Sequence, residues 1–277
     1  MPKNDDWLNN IVWLSDSYKV SHWLQVPPGL QYTHSYFESR IGAQFDETCF
    51  FGLQYYLEKY LEGVVVTKKK IDDAEVLFTN HFVGGGGKEI FNRSGWEHIL
   101  NVHGGKLPII IKAVREGTCV STSNVLMTIK NTDPHCGWLP NYLETLLVQT
   151  WYPCTVATQS RAMRAILLKY LEKTGDPGLI DFKLHDFGFR GVTCPEQAAI
   201  GGAAHLVNFK GTDTVAGILL AREFYGEEMA GYSIPAYEHY TVTTWLQKHE
   251  LDCYDNALNK FPTGFVAIVS DSYDLFK

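Results

Sequence analysis

The chain lacks the features of a fibrous, membrane-spanning or disulfide-bound protein. Its longest apolar runs, at 107–113 and 265–269, fall far short of the roughly 18 residues needed to cross a bilayer. Its six cysteines (Cys49, Cys119, Cys136, Cys154, Cys194 and Cys253) are scattered through 277 residues with no Cys-x-x-Cys pair. The opening Met-Pro-Lys-Asn-Asp-Asp puts no basic segment ahead of an apolar run, so the expectation is a reduced, cytoplasmic chain without a leader. Excess positive charge is missing too. With 24 Lys and Arg against 31 Asp and Glu, the formal charge is −7, and no general field draws in nucleic acid. A phosphorylated ligand must therefore be held by local groups.

Several catalytic signatures are also absent. No Gly-x-Gly-x-x-Gly follows a strand pattern, which argues against a Rossmann dinucleotide site. No Gly-x-Ser-x-Gly elbow supports a serine hydrolase. Zinc has neither a His-Glu-x-x-His motif nor closely spaced Cys and His ligands, and His98 with His103 lacks a third partner nearby in the sequence. The run Gly84-Gly-Gly-Gly87 is not a P-loop, because Glu89 follows Lys88 where Ser or Thr is needed; it reads as a flexible connection.

What is present is an ordinary globular composition, 45% hydrophobic and 20% charged, with length for about two domains. Over residues 1–145, short apolar runs at 108–114 and 125–129 are separated by Gly, Asn and Asp turn signals, which predicts an α+β domain. Over residues 146–277 helical and strand-like patterns alternate. Helices are expected at 156–174, with Ala157, Met163, Ile166, Leu167, Tyr170 and Leu171 on the packed face, at 195–206, 214–224 and 242–260. Strands are expected at 181–187, 207–211 and 265–270, and Thr193-Cys-Pro-Glu196 has the form of a capping box. This alternation predicts parallel strands with crossover helices, in an open sheet or a barrel.

In parallel α/β folds ligands meet the carboxyl ends of the strands. Those positions carry His185-Asp-Phe-Gly-Phe-Arg190, Lys210-Gly-Thr-Asp213 and Ser270-Asp-Ser-Tyr-Asp274, with Pro235-Ala-Tyr-Glu-His239 in a loop between them. Each has a plain structural reading: Asp213 as a helix cap, Phe187 as core closure, His239 as a hydrogen-bonded histidine, Arg190 as a solvated charge. Four loaded loops together favour a ligand site over four separate coincidences.

The runs Asp16-Ser-Tyr-Lys19, Ser35-Tyr-Phe-Glu-Ser-Arg40, Asn131-Thr-Asp-Pro134, Leu184-His-Asp-Phe-Gly-Phe-Arg-Gly191, Ala204 to Gly217 and Val269-Ser-Asp-Ser-Tyr-Asp274 together resemble the nicotinamide phosphoribosyltransferases. The resemblance spans nearly the whole chain in order. It implies an α/β chain in which the N-terminal α+β domain is followed by the opening strands of an irregular (β/α) barrel, left incomplete here. It also implies transfer of a phosphoribosyl group from phosphoribosyl pyrophosphate to nicotinamide, giving nicotinamide mononucleotide and pyrophosphate for NAD salvage. Mg²⁺ would accompany the pyrophosphate, and ATP would serve as a coupling substrate.

Residue by residue, the resemblance implies that Phe187 stacks on the pyridine ring while Tyr18 of a second protomer covers its other face in a homodimer. Asp213 would accept a hydrogen bond from the carboxamide and reject nicotinate. Arg190 would lie by the ring and phosphate, Arg40 would reach the phosphates across the dimer, and Asp16 would border the shared pocket. Asp271 would lie near the ribose and its metal-bound pyrophosphate, and His239 would be the phosphorylated histidine. Two residues depart from the pattern: Ala267 replaces a common Ser, and Tyr237 replaces a smaller residue. These departures leave open a nicotinate-preferring enzyme; family members also continue beyond the run at 269–274, which leaves open a non-catalytic fragment or half of a split enzyme completed by a C-terminal chain.

Overall fold

The computed structural model describes residues 8–276; the leader expectation, read from the first six residues, lies outside them. Among the described residues, five strands form two antiparallel sheets. Strand β1 (His34–Glu38) and β3 (Ile109–Ala113) flank β5 (Val125–Asn131), while β2 (Glu47–Cys49) pairs with β4 (Cys119–Ser121). The central β5 buries Leu126, Met127, Ile129 and Asn131. Asn131 closes the end of this sheet: its Oδ1 accepts from the Thr33 amide at 2.8 Å, and its Nδ2 donates to the carbonyls of Gln31 and Asp133, each at 2.7 Å. A fully buried amide side chain is tolerated because its donors and acceptor are matched.

The main helices are α1 (Lys68–His81), α2 (Arg93–His103), α3 (Trp151–Thr174), α4 (Pro195–Leu206), α5 (Val215–Tyr225) and α6 (Glu250–Lys260). Trp96 of α2 anchors the N-terminal core, with its ring edge-on to Trp138 at 5.0 Å and Tyr142 at 5.2 Å. That core is continuous with Ile200, Ala203 and Ala204 of α4 and Leu220 of α5.

The helix expected at 156–174 begins earlier, at Trp151, and of the expected face it buries Ala157 but exposes larger residues. Pro153, Cys154, Ala157 and Ser160 are buried, whereas Met163, Ile166 and Tyr170 are 37%, 59% and 58% exposed. Small and polar residues allow β2 and α4 to approach closely: the Cys49 amide donates to Thr158 Oγ1 at 2.8 Å, and Asn208 Nδ2 donates to the Ala157 carbonyl at 2.9 Å. Close fit and satisfied backbone win over the wider apolar stripe.

Both helices that follow stand where expected, but the capping box does not form. Cys194 is the N-cap of α4, and the Glu196 carboxylate accepts instead from Lys59 Nζ at 2.9 Å, Tyr60 OH at 2.8 Å and the Tyr55 hydroxyl. Burial raises the cost of ionising Glu196, yet these three donors outweigh it and hold its carboxyl below the usual range. Helix 242–260 is broken: one turn, His239–Thr243, is separated from α6 by Leu246 at φ 66 and a short 3₁₀ turn. The stretch Thr241-Val-Thr-Thr244 is β-branched, and Thr243 and Thr244 hydroxyls bond back to the carbonyls of His239 and Thr241, which weakens helix propagation.

The three expected parallel strands shrink to single bridges. Asp186 pairs with Thr212, Gly211 with Tyr232, and Ala236 with Ala267, all parallel. The direction is as expected, but no ladder extends, because Pro177–Phe182 winds as a 3₁₀ turn and Val207 to Phe209 unwind from the end of α4. The observed class is thus mixed α/β, with the regular sheets in the N-terminal part.

Helices α4 and α5 cross at Gly202 and Gly217. A Cβ on Gly217 would lie 2.6 Å from the Gly202 carbonyl carbon and 2.8 Å from the Ala203 nitrogen, backbone atoms that cannot step aside. Gly217→Ala should therefore lower unfolding stability by about 1–3 kcal/mol, despite the better helix propensity of Ala. Equilibrium denaturation in urea checks this; an unchanged midpoint would mean that the helices separate freely.

Candidate active site

The parallel bridges carry the residues singled out at the strand ends. Asp186 N donates to the Gly211 carbonyl at 3.2 Å, Asp213 N returns a bond to the Asp186 carbonyl at 2.9 Å, and Thr212 N donates to Tyr232 at 3.0 Å. These bonds set three side chains together: Asp213 Oδ1 accepts from His185 Nε2 at 2.9 Å and from the Ser233 hydroxyl. Asp213 is therefore not a helix cap; that position belongs to Thr214. Partial burial disfavours its charge, but the bonds from Ser233 and His185 prevail and keep its carboxyl below the ordinary value.

Phe187 does not close the core. It is 60% exposed, with its ring centroid 4.8 Å from that of His185 and tilted by 37°. Arg190 lies in the 3₁₀ turn Gly188–Gly191, which Asp186 starts by accepting the Gly188 amide at 2.8 Å. Among the described residues Arg190 makes no ion pair. Behind the rim, buried His205 donates from Nε2 to the Gly211 carbonyl at 3.0 Å and stacks on Phe209 at 5.3 Å. Burial lowers its pKa, so it braces the bridge as a neutral ring.

A second group lies beyond the Ala236–Ala267 bridge. Tyr237 N donates to the Ala267 carbonyl at 2.8 Å, and Ala267 N donates to Pro235 at 3.0 Å. This pairing carries His239 and Asp271, which share a hydrogen bond of 2.9 Å between Nε2 and Oδ1, both side chains exposed.

The N-terminal candidates form a third group. Asp16 Oδ2 accepts from Thr145 Oγ1 at 2.7 Å, Tyr18 is 59% exposed on the turn Ser17–Leu24, and Arg40 lies exposed beyond β1. Among the described residues, no hydrogen bond, ion pair or ring contact within the chain joins this trio to Phe187, Arg190 or Asp213.

Ser233 and His205 were not anticipated: Ser233 lies in no motif, and His205, though within the run Ala204 to Gly217, was given no role; only backbone pairing brings them to Asp213 and Gly211. The metal reading also changes. His98 and His103 do have a third partner, Asp133, supplied from 30 residues away.

Residues 10–111 match the family described as nicotinamide phosphoribosyltransferase, N-terminal domain, and residues 182–277 match the nicotinate phosphoribosyltransferase family. A nicotinamide phosphoribosyltransferase of Xanthomonas campestris is 50% identical over 275 residues, 98% of this chain and 57% of that protein. The chain is similar to nicotinamide phosphoribosyltransferases along almost all of its length. A family member from Acinetobacter baylyi is 31% identical over 95% of the chain and 54% of its own length. The chain thus spans little more than half the length of these curated relatives. The fold is similar to that of human nicotinic acid phosphoribosyltransferase, with a TM-score of 0.50 and 16% identity over 83% of this chain and 40% of that one.

The bridge region rests on two carboxylates with depressed pKa values. Asp181 accepts from Arg164 at 2.7 Å and pairs with Lys210 at 3.1 Å; the Arg164 bond first, then Lys210, lowers its pKa. Asp213 is lowered as described above. Their stabilisation is present above the unfolded value of about 3.9 and is lost as the pH falls through the lower folded values. Urea midpoints measured down the acid range should fall more steeply for the wild type than for Asp181→Asn or Asp213→Asn; equal slopes would remove these bonds as the source.

Proposed function

We propose that this chain carries the base-reading part of an enzyme that joins nicotinamide to phosphoribosyl pyrophosphate, releasing nicotinamide mononucleotide and pyrophosphate. The observation that carries this reading is the exposed Phe187 ring beside a carboxylate already oriented by two donors. Because His185 and Ser233 both engage Asp213 Oδ1, Oδ2 is left to accept the carboxamide NH₂. Phe187 offers a face for the flat ring, and Arg190 offers a positive charge for the phosphate. Nicotinate would bring a second carboxylate against Asp213 with no proton between them, which is a repulsive pairing.

Glycosyl transfer of this kind breaks the bond from ribose C1 to pyrophosphate while the pyridine nitrogen supplies its own lone pair. The protein's task is to position the ring and stabilise the departing charge. Asp271 would lie toward the ribose, and Mg²⁺ arriving with the pyrophosphate would neutralise its charge when bound; one or two carboxylates suffice for that ion. His239 Nε2 faces Asp271 Oδ1, which orients the ring, and a phosphoryl acceptor from ATP would use the lone pair that a neutral ring donating there carries on Nδ1. We read residues 146–277 as the opening of the (β/α) barrel, within a cytoplasmic homodimer in which Tyr18, Arg40 and Asp16 of one protomer meet Phe187 of the other. A C-terminal segment, in the same chain or a separate one, would complete the phosphate side.

Two measurements test the reading, in a protein of the relatives' full length that contains this chain. First, Asp213→Asn should reduce the preference for nicotinamide over nicotinate in kcat/KM by about 1–3 kcal/mol, the scale of one buried charged hydrogen bond. An unchanged ratio would remove Asp213 from base recognition, and a wild type that prefers nicotinate would replace the amide reading. Second, Tyr18→Ala and Phe187→Ala proteins, each inactive alone, should regain activity on mixing, because a hybrid dimer holds one intact site. No recovery despite demonstrated subunit exchange would place each ring site within one chain.

A further inference from the structure

Away from these groups, the C-terminal end of α2 meets the turn that follows β5. His98 and His103 direct their Nε2 atoms at one oxygen, Asp133 Oδ2, at 2.8 and 2.7 Å, and the three ligand atoms lie within 4.8 Å of one another. The other carboxylate oxygen is already fixed: Asp133 Oδ1 accepts the His135 amide at 2.8 Å. Its backbone is fixed as well, because the Asp133 carbonyl accepts from buried Asn131 at 2.7 Å. The turn therefore presents Oδ2, and only Oδ2, to the two imidazoles.

We propose that His98, His103 and Asp133 form a binding site for a divalent transition-metal ion, with Zn²⁺ as the ion that fits best. Two imidazole nitrogens and one carboxylate oxygen suit zinc, whereas Mg²⁺ and Ca²⁺ favour all-oxygen sets. In a tetrahedron with bonds of about 2.0–2.1 Å the ligand atoms stand about 3.3 Å apart. The two nitrogen–oxygen separations would widen by roughly half an ångström, and the two nitrogens, now within 4.8 Å of each other, would come to the same spacing by side-chain rotation. Without the ion each Nε2 donates its proton to Asp133 Oδ2; to bind the metal each ring gives up that proton and presents the Nε2 lone pair, with its proton on Nδ1, so the ion replaces the two hydrogen bonds.

Access is open. The side chains of His98 and His103 are 25% and 28% exposed. A groove of about 410 Å³, bordered by Trp23, Pro27, Trp138, His98 and His135, opens beside them. Water takes the fourth position. His135 faces Oδ1 at 3.1 Å rather than Oδ2 and is not a ligand. The ion would tie α2 to the end of β5 across 30 residues of chain, beside the Trp96 and Trp138 core. The site is independent of the proposed phosphoribosyl chemistry.

The test uses the untagged 277-residue chain, stripped of metal and titrated with Zn²⁺ by calorimetry and with Co²⁺ by visible absorption. The wild type should bind one equivalent, show the strong d–d bands of a low-coordinate cobalt ion, and gain thermal stability with zinc. The His98→Gln/His103→Gln double variant keeps the Asp133 turn intact. It should lose the cobalt bands and bind zinc at least about tenfold more weakly, as should Asp133→Asn. Circular dichroism of the metal-free proteins confirms that each is folded, and if Asp133→Asn is not, the double variant decides. Substoichiometric uptake by the wild type, a weakly absorbing octahedral cobalt spectrum, or unchanged affinity in the folded double variant would overturn the site.

Discussion

The candidate site depends on how closely three stretches of backbone can approach one another at Asp186, Gly211–Thr212 and Tyr232. Each junction is a single parallel bridge, so there is no ladder to share the burden, and each must be exact in its local contacts. A Cβ at Gly211 would lie 2.8 Å from His185 Nδ1, so the ring that orients Asp213 occupies the space a side chain would need. Neutral His205 then holds the Gly211 carbonyl from behind. A short parallel pairing is weak in isolation. Here it is held by side chains, with Asp181 between Arg164 and Lys210 on one side and Ser233 with His185 on the other.

Those side chains need a rigid support, which comes from small residues packed across helices. Helix α3 turns Cys154, Ala157 and Ser160 inward, and α4 meets α5 at Gly202 and Gly217. Close backbone approach leaves little freedom for α4 to slide. Its first turn is fixed further by Glu196, whose half-buried carboxylate is matched by Lys59, Tyr55 and Tyr60 from the N-terminal part. A carboxylate so placed is stable only while its donors remain. The linkage couples the N-terminal core to the helices that carry the bridges.

Elements governed by local pattern were legible in the sequence. The helix at 195–206 begins with Pro195 and runs to its expected end, and α5 stops at Gly226, in the left-handed region at φ 68. Elements decided by competition between distant groups were not. Glu196 has the spacing of a capping box, but aromatic hydroxyls and a lysine more than 130 residues away claim it. On α3 Ala157 is buried as expected, but the rest of the packed face was misread because hydrophobicity ranks Ile166 and Tyr170 above Cys154 and Ser160, while close packing favours the small residues. Phe187, Arg190 and Asp213 were visible through their position after strand-like runs. Ser233 and the carboxylate partner of His98 and His103 were not, since each is brought in by the chain's path rather than by spacing.

The exposure of the two aromatic rings has a physical consequence for assembly. A neutral heterocycle is held well when both faces are desolvated, and within this chain Phe187 offers one face only. Tyr18 cannot swing across to supply the other at little cost. Its neighbour Lys19 is buried, paired with Glu144 and bonded to Asn141 at 3.2 Å, and Asp16 is bonded to Thr145. Moving that turn would strip a buried ammonium of its carboxylate, at a cost of about 3 kcal/mol or more. A second copy could bring its own Tyr18 to Phe187 with the turn undisturbed, so the same bonds that hold Tyr18 away from its own site make it a firm platform for a neighbour's. The proposed dimer is compatible with both the rigidity of the Asp16–Lys19 turn and the openness of Phe187.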